Sequence, residues 1–221
     1  MSNNPKSFLI FYISFLIFIS GCINLQQTTK IHDDGSGTIS LHYWTKSSNL
    51  SMGDELGGLS FTEDKVKQNF TSPNTTVKSV NIENKDDDST THVQLDIDFN
   101  DFNRLAEAPG FSKTRTGWNK GNNMMEFSYV IEKDSINVTG LNDNILEYKF
   151  EFPNEVISTN GINDGNTVTW RKPLSDLKEN LEMTATVKSK GKVCGIFGYG
   201  FLIVMSGLFL LRTGKQRRNI F

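Results

Sequence analysis

Apolar and polar side chains alternate along four separate stretches of the 221-residue chain, and this pattern constrains the fold more than any other feature of the sequence. In Thr91–Phe99, for example, Val93, Leu95 and Ile97 alternate with polar neighbours. Successive side chains of a β-strand point to opposite faces, so each stretch is predicted to be a strand with one face in a core and the other in water. Such strands are typical of antiparallel sheets. The stretches are Thr38–Trp44, Thr91–Phe99, Met125–Ile131 and Leu146–Phe152, and Met183–Ser189 is predicted to be a last strand.

Turn-forming residues separate these stretches. Clusters of Gly, Asn and Asp lie at Asp33–Gly37, Lys85–Asp88, Asn119–Asn122 and Asn163–Asn166. Gly and Asn tolerate the backbone angles of tight turns, and Asp side chains bond to the backbone there. Because each cluster lies between two strand-like runs, each predicts a hairpin.

Three short segments carry helix signals. Thr62 precedes Glu63–Phe70, which has acidic residues in its first turn, and Asn100 or Asp101 precedes Phe102–Ala108. Pro173 begins the third segment, in which leucines at 174, 177 and 181 have helical spacing. Strands interspersed with helices predict an α+β fold, in which short helices pack on one face of an antiparallel sheet.

Residues 1–21 have the features of an export signal. A single lysine precedes the apolar run Phe8–Ile19, which is shorter than the ~20 residues that span a bilayer. The run ends in Ile-Ser-Gly-Cys22, which resembles the bacterial lipobox. The resemblance implies a diacylglycerol thioether on Cys22 and cleavage before it. A plain signal peptide or an uncleaved anchor is the alternative.

The C-terminal region contains a second apolar segment. Residues 193–211 carry no charge, and as a helix they would extend roughly 28 Å, about one hydrocarbon core. Four basic residues and no acidic ones follow in 212–221, which predicts a cytoplasmic tail. We therefore expect a transmembrane helix at 193–211 and an exported domain at 22–190, pinned to the membrane at both ends. Cys194 is read as an apolar helix residue, so no disulfide is expected.

The exported segment is acidic. Residues 23–190 contain 25 acidic and 17 basic side chains. This excess argues against binding to nucleic acid and against electrostatic adhesion to anionic headgroups. The sequence leaves two locations open for the three tryptophans, Trp44, Trp118 and Trp170. They either pack in the core or lie among lipid headgroups.

Catalytic and metal-binding motifs are absent from the sequence, and no cofactor is expected. His32, His42 and His92 are far apart in sequence; two could meet across a hairpin, but we expect surface imidazoles. The loops at Asp33-Asp34 and Asn163-Asp164 resemble pieces of calcium loops without the later bidentate glutamate, so no metal site is expected.

Two carboxylates supply the one enzymatic hypothesis. Asp96 and Asp98 are two residues apart on one strand, so their side chains share a face. Paired carboxylates can perform acid–base catalysis. The simpler interpretation is the wet face of a half-buried strand, because the sequence places no nucleophile or apolar pocket beside them.

Taken together, these segments resemble the LppM-type domain of bacterial membrane-anchored lipoproteins, first known from mycobacteria. The resemblance lies in the lipobox cysteine, the turn at 32–38, and the later stretches Phe152–Gly161, Asn166–Trp170 and Pro173–Leu177, followed by the terminal apolar segment and basic tail. It implies an exported α+β domain without catalytic residues and a role in binding a lipid or a surface partner. Only Cys22 is carried over as a functional residue.

Two functional hypotheses from different classes follow. The first is a non-catalytic, extracytoplasmic binding or assembly module at the cytoplasmic membrane, whose partner is a lipid or an envelope protein. A lipid binder requires an apolar cleft, and an assembly module requires an exposed apolar patch or an open sheet edge. The second is an envelope hydrolase, which requires a cleft containing both Asp96 and Asp98. A purely structural role also stays open.

Overall fold

A computed structural model of the chain describes residues 23–51, 53–121, 123–133, 144–173 and 179–189. In these ranges the chain is mostly β, with a single α-helix, α1 (Glu63–Phe70), and short 3₁₀ helices at Ser47–Leu50, Phe102–Glu107 and Pro109–Phe111. The strands are β1 (Ile23–Ile31), β2 (Gly37–Lys46), β3 (Glu55–Leu56), β4 (Leu59–Ser60), β5 (Thr75–Lys85), β6 (Thr90–Phe99), β7 (Thr114–Lys120), β8 (Met124–Ile131), β9 (Ile145–Glu151), β10 (Val156–Thr159), β11 (Ile162–Asp164), β12 (Thr167–Pro173) and β13 (Leu181–Lys188).

The long strands form two sheets. One has seven strands in the order β11-β12-β9-β1-β2-β6-β5, and the other has four in the order β10-β13-β8-β7, while β3 and β4 form a small separate hairpin. The ladders are antiparallel as predicted, except that β1 and β9 are parallel. This parallel pair joins the N-terminal strands β1, β2, β5 and β6 to the later strands β9, β11 and β12 in one sheet.

Aromatic rings fill the space between the two sheets. Phe127 on β8 lies with its ring centroid 4.7 Å from that of Phe150 on β9, and Tyr129 lies 5.4 Å from Phe150. Phe102, from the 3₁₀ helix that follows β6, contacts the same cluster and is fully buried. Because rings from both sheets and from a connecting segment meet here, this cluster holds the two layers together.

The fold differs from the predicted α+β class. Alternation correctly indicated strands with one buried face, but the second sheet covers much of that face, where short helices were expected. The reason is physical: a hydrophobic stripe shows that a face is buried without showing what covers it. Helix α1 has the predicted bounds, and Phe102–Glu107 is helical as 3₁₀ with Asp101 as its N-cap. The predicted helix from Pro173 is wrong at both ends, because Pro173 ends β12 and Leu181 begins β13, and residues 174–178 lie outside the described ranges.

The predicted C-terminal transmembrane helix is not supported by the structure. Within the described ranges, no helix has the length and apolar character needed to cross a bilayer. The predicted signal peptide 1–21, Cys22, the span 193–211 and the tail 212–221 all lie outside those ranges.

The turn at Asn160 and Gly161 links the edges of the two sheets. The Asn160 side-chain oxygen accepts hydrogen bonds from the Trp170 indole at 2.8 Å and from the Thr184 backbone amide at 2.9 Å, and its amide group donates to the Glu182 carbonyl at 2.8 Å. Trp170 belongs to the seven-stranded sheet, whereas Thr184 and Glu182 belong to the four-stranded sheet. A methyl group on Gly161 would lie 2.6 Å from Trp170, so glycine is required for this close approach.

Truncation of Phe150 to alanine should lower the free energy of unfolding by about 3–5 kcal/mol, because it removes a buried ring from the centre of the cluster. Urea unfolding of wild type and variant measures the change. Lys149→Ala, on the exposed face of the same strand, is the matched control and should change stability by less than about 0.5 kcal/mol. A loss below about 1 kcal/mol for Phe150→Ala would contradict the central role of the cluster.

Replacement of Asn160 by alanine should cost about 2 kcal/mol, because the buried Trp170 indole N–H loses its acceptor while two backbone groups of β13 lose their partners. Thermal unfolding followed by near-ultraviolet circular dichroism measures the loss. Asn163→Ala is the control, since its side-chain amide lies 3.5 Å from the Val156 carbonyl and contributes little. Equal effects of the two substitutions would show that Asn160 does not join the sheets.

Candidate functional site

The two carboxylates singled out in the sequence lie on the outer face of β6 and have different neighbours. Asp96 accepts hydrogen bonds from the Ser40 hydroxyl at 2.7 Å and the Ser79 hydroxyl at 2.8 Å. Lys78 places its ammonium 3.4 Å from the Asp98 carboxylate. The β5 register shifts by one residue just before Ser79, and this irregularity brings Ser79 opposite Asp96.

A shallow cavity of about 290 Å³ opens beside Asp96. Asp98 is not among the residues that line it, so this cavity does not contain both carboxylates. The hydrolase hypothesis required a cleft that contains both. The lining residues are Ser40, Leu41, His42, Ser79, Asn81, Gln94, Leu95 and Asp96.

Next to this cavity, His42 and His92 meet across the β2–β6 ladder. The register pairs Trp44 with His92 and His42 with Gln94, so the two histidines are diagonal neighbours on the outer face. His42 Nε2 lies 2.9 Å from His92 Nδ1. The Trp44 ring stacks on both, with centroids 4.7 Å from His42 and 5.6 Å from His92. His92 is 6% exposed even though it lies on the outer face.

A hydrogen-bond chain extends from this pair to a carboxylate. The Thr90 hydroxyl donates to Asp88, and the same oxygen lies 2.8 Å from His92 Nε2. Since the hydroxyl proton is used toward Asp88, His92 Nε2 is the donor to Thr90. A neutral His92 then carries a lone pair on Nδ1, and His42 Nε2–H donates to it. The chain therefore fixes the tautomer of His92.

The electrostatic surroundings keep these imidazoles neutral. Burial is the main cause that lowers the pKa of His42 and of His92. The charge of Lys85 lowers both further, while Asp88 acts in the opposite direction on His92. The hydrogen bond from Thr90 lowers the pKa of Asp88, so this end of the chain is an ionised carboxylate. Unprotonated ring nitrogens are thus available near neutral pH.

Sequence reasoning missed this cluster. His42 and His92 were expected to be surface imidazoles, and nothing in the sequence fixed the register between strands 50 residues apart. The alternation of apolar and polar residues placed His42 and His92 on the outer faces of their strands. This was the only indication in the sequence that the two side chains could meet. His32 lies away from them, at the β1–β2 turn, with Nδ1 3.1 Å from the Ser36 hydroxyl.

The aspartates of the β1–β2 turn accept hydrogen bonds from other residues of the domain. Asp34 accepts hydrogen bonds from the backbone and hydroxyl of Ser36, and these bonds lower its pKa. Asp33 accepts a hydrogen bond from the Asn154 amide at 2.9 Å. Within the described part of the chain, no three His, Cys, Asp or Glu side chains come together as a metal-ligand group.

A different surface exposes apolar side chains. Ile162 on β11 is 73% exposed and Ile157 on β10 is 46% exposed. β11 is an edge strand of the seven-stranded sheet and β10 an edge strand of the four-stranded sheet, so these side chains flank the turn at Asn160 and Gly161. Edge strands leave backbone donors and acceptors available for another chain. We refer to β10 and β11, with the turn between them, as the β10–β11 edge.

These observations define a two-sheet, mostly-β domain with a neutral histidine pair on one outer face and an exposed apolar edge. The sequence model of the LppM domain family matches residues 26–189, which is most of the chain. The chain therefore belongs to the LppM domain family, and the resemblance seen in its sequence is confirmed.

Structural comparison agrees with this assignment. The folded domain of LppM from Mycobacterium tuberculosis, determined by NMR, matches with a TM-score of 0.51 and 17% sequence identity. The match covers 78% of this chain and 94% of that domain. At this identity the similarity concerns the fold alone. Comparison with curated protein sequences gave no match.

Proposed function

We propose that the chain is a non-catalytic binding module of the bacterial envelope, anchored at the extracytoplasmic face of the cytoplasmic membrane by a lipid on Cys22. Membership of a lipoprotein family supports this proposal. The start of the fold also supports it. β1 begins at Ile23, which is 7% exposed and pairs with Thr45. A lipid on Cys22 leaves no spacer before the folded domain, which would work close to the bilayer surface.

The β10–β11 edge is the observation that carries the binding role, and it favours an envelope protein as the partner. Ile157 and Ile162 offer exposed apolar area beside open strand edges, which suits docking of another polypeptide. By contrast, aromatic rings fill the space between the sheets, where an acyl chain would need an apolar cleft. A surface cavity of about 580 Å³ on the four-stranded sheet is lined mainly by polar side chains.

Lipidation of Cys22 is tested by the intact mass of the membrane-extracted protein. We expect a mature species that begins at residue 22 and carries acyl mass, and Cys22→Ala should abolish both the cleavage and the acyl mass. Cys194→Ala is the matched control and should leave the mature mass unchanged apart from the substitution. A wild-type species that retains residues 1–21, or one cleaved without acyl mass, would overturn the anchor.

The docking role is tested with a photo-crosslinking amino acid at position 162, in cells of the native host. We expect a discrete crosslink to one envelope protein. Ile157→Asp in the same chain should reduce this crosslink by at least about tenfold, because a carboxylate would be desolvated in an apolar contact at a cost of a few kcal/mol.

A crosslinker at position 149, on the outer face of β9, is the matched control and should give no such product. Thermal unfolding must show that the Ile157→Asp chain is folded, as expected for an exposed position. Crosslinking at position 162 that is unaffected by Ile157→Asp, or that labels lipid instead of protein, would contradict a protein partner at the β10–β11 edge.

A further inference from the structure

The histidine pair on the β2–β6 ladder has the chemistry of a metal chelate, independently of the β10–β11 edge. His42 Nε2 and His92 Nδ1 lie 2.9 Å apart. Two nitrogens in adjacent positions of a square-planar metal ion, each about 2.0–2.1 Å from it, are themselves about 2.9 Å apart. The distance between the two nitrogens is thus compatible with two neighbouring ligands, once the hydrogen bond between them is broken and the rings turn both lone pairs toward a shared metal position.

The hydrogen-bond chain prepares His92 as a ligand. Its Nε2–H donates to Thr90, whose hydroxyl donates to Asp88, and this leaves the Nδ1 lone pair directed toward His42. Histidines that bind metals commonly donate their second N–H to a carboxylate or another acceptor, which fixes the tautomer and raises ligand basicity. Thr90, the first residue of β6, and Asp88, on the turn before it, supply that outer support.

His42 supplies the second nitrogen ligand, and the cavity beside it gives a metal ion access from solvent. It is half-buried, and it lines the cavity of about 290 Å³ that opens beside Asp96. Transfer of its proton from Nε2 to Nδ1 through solvent, with a rotation of the ring, presents the Nε2 lone pair without net proton release. The cavity, which Asn81 and Gln94 also line, leaves room for water in the remaining coordination positions.

We propose that His42 and His92 form a binding site for a divalent copper ion, in which His92 binds through Nδ1 and His42 through Nε2. Imidazole ligands in a tetragonal arrangement with water or amide oxygen are typical of copper(II) and nickel(II). Copper(II) binds most tightly of the divalent first-row ions to a given set of nitrogen and oxygen ligands. Zinc, with its tetrahedral preference, should bind more weakly to a pair at this spacing.

Trp44 reports occupancy of the site, because its ring stacks on both imidazoles. The experiment is a titration of the full-length chain in detergent, purified without a polyhistidine tag, with copper(II) chloride. We expect saturable quenching of tryptophan fluorescence at one equivalent of copper and an axial electron paramagnetic resonance spectrum with nitrogen hyperfine structure. Nickel and zinc should bind at least about tenfold more weakly.

Five variants separate this site from adventitious binding. His42→Ala and His92→Ala should each remove the one-equivalent phase, and His32→Ala, at the distant β1–β2 turn, should retain it. Thr90→Val should weaken copper binding by about tenfold through the loss of outer support, without removing either ligand. Trp44→Phe should retain the resonance spectrum while most of the quenching is lost.

Thermal unfolding establishes that each variant is folded, and Thr90→Val keeps the test informative if a histidine variant is unstable. Copper binding of equal affinity and stoichiometry in His42→Ala or His92→Ala would overturn the proposal. So would weak, non-saturating quenching that is the same in all variants, which would show only adventitious copper.

Discussion

The two-sheet fold depends above all on the ring contact between Phe127 and Phe150. Phe102 packs against both of these rings. The three rings come from different layers and from a connecting segment, so their burial requires both sheets to be in place at once. Burial of such large apolar side chains is the dominant favourable term in folding. No disulfide is expected from the two cysteines, so the stability of the domain depends on this apolar core.

Since the interior is filled in this way, both proposed binding sites lie on outer surfaces. One such surface is the β10–β11 edge, where the Asn160 side chain joins the sheets and exposed isoleucines flank the turn. The other is the outer face of β2 and β6, where Trp44 and a hydrogen-bond chain order His42 and His92. Both surfaces lie on strands of the two sheets, and a preorganised surface binds a partner at lower entropic cost.

Much of the strand content could be predicted because alternation is a local signal. The bounds of α1 and the positions of β2, β6, β8 and β9 agree with the pattern to within one or two residues. The fold class could not be predicted, because whether a helix or a second sheet covers an apolar face depends on distant parts of the chain. Pro173 illustrates the difficulty: it suits the first turn of a helix, yet it is the last residue of β12, beyond the part of that strand that pairs with β11.

The half-buried strands and the turns between them could be read from the amino-acid sequence, since each depends on residues close together in the chain. The acidic character of the domain and its resemblance to the LppM family could also be read there, because neither requires knowledge of strand pairing. The parallel pairing of β1 with β9, the different partners of Asp96 and Asp98 and the meeting of His42 with His92 became apparent only in the folded chain. The physical reason is register: strands far apart in sequence pair through backbone groups that are the same in every residue. Their alignment is therefore set by the packing of the whole core rather than by the local sequence.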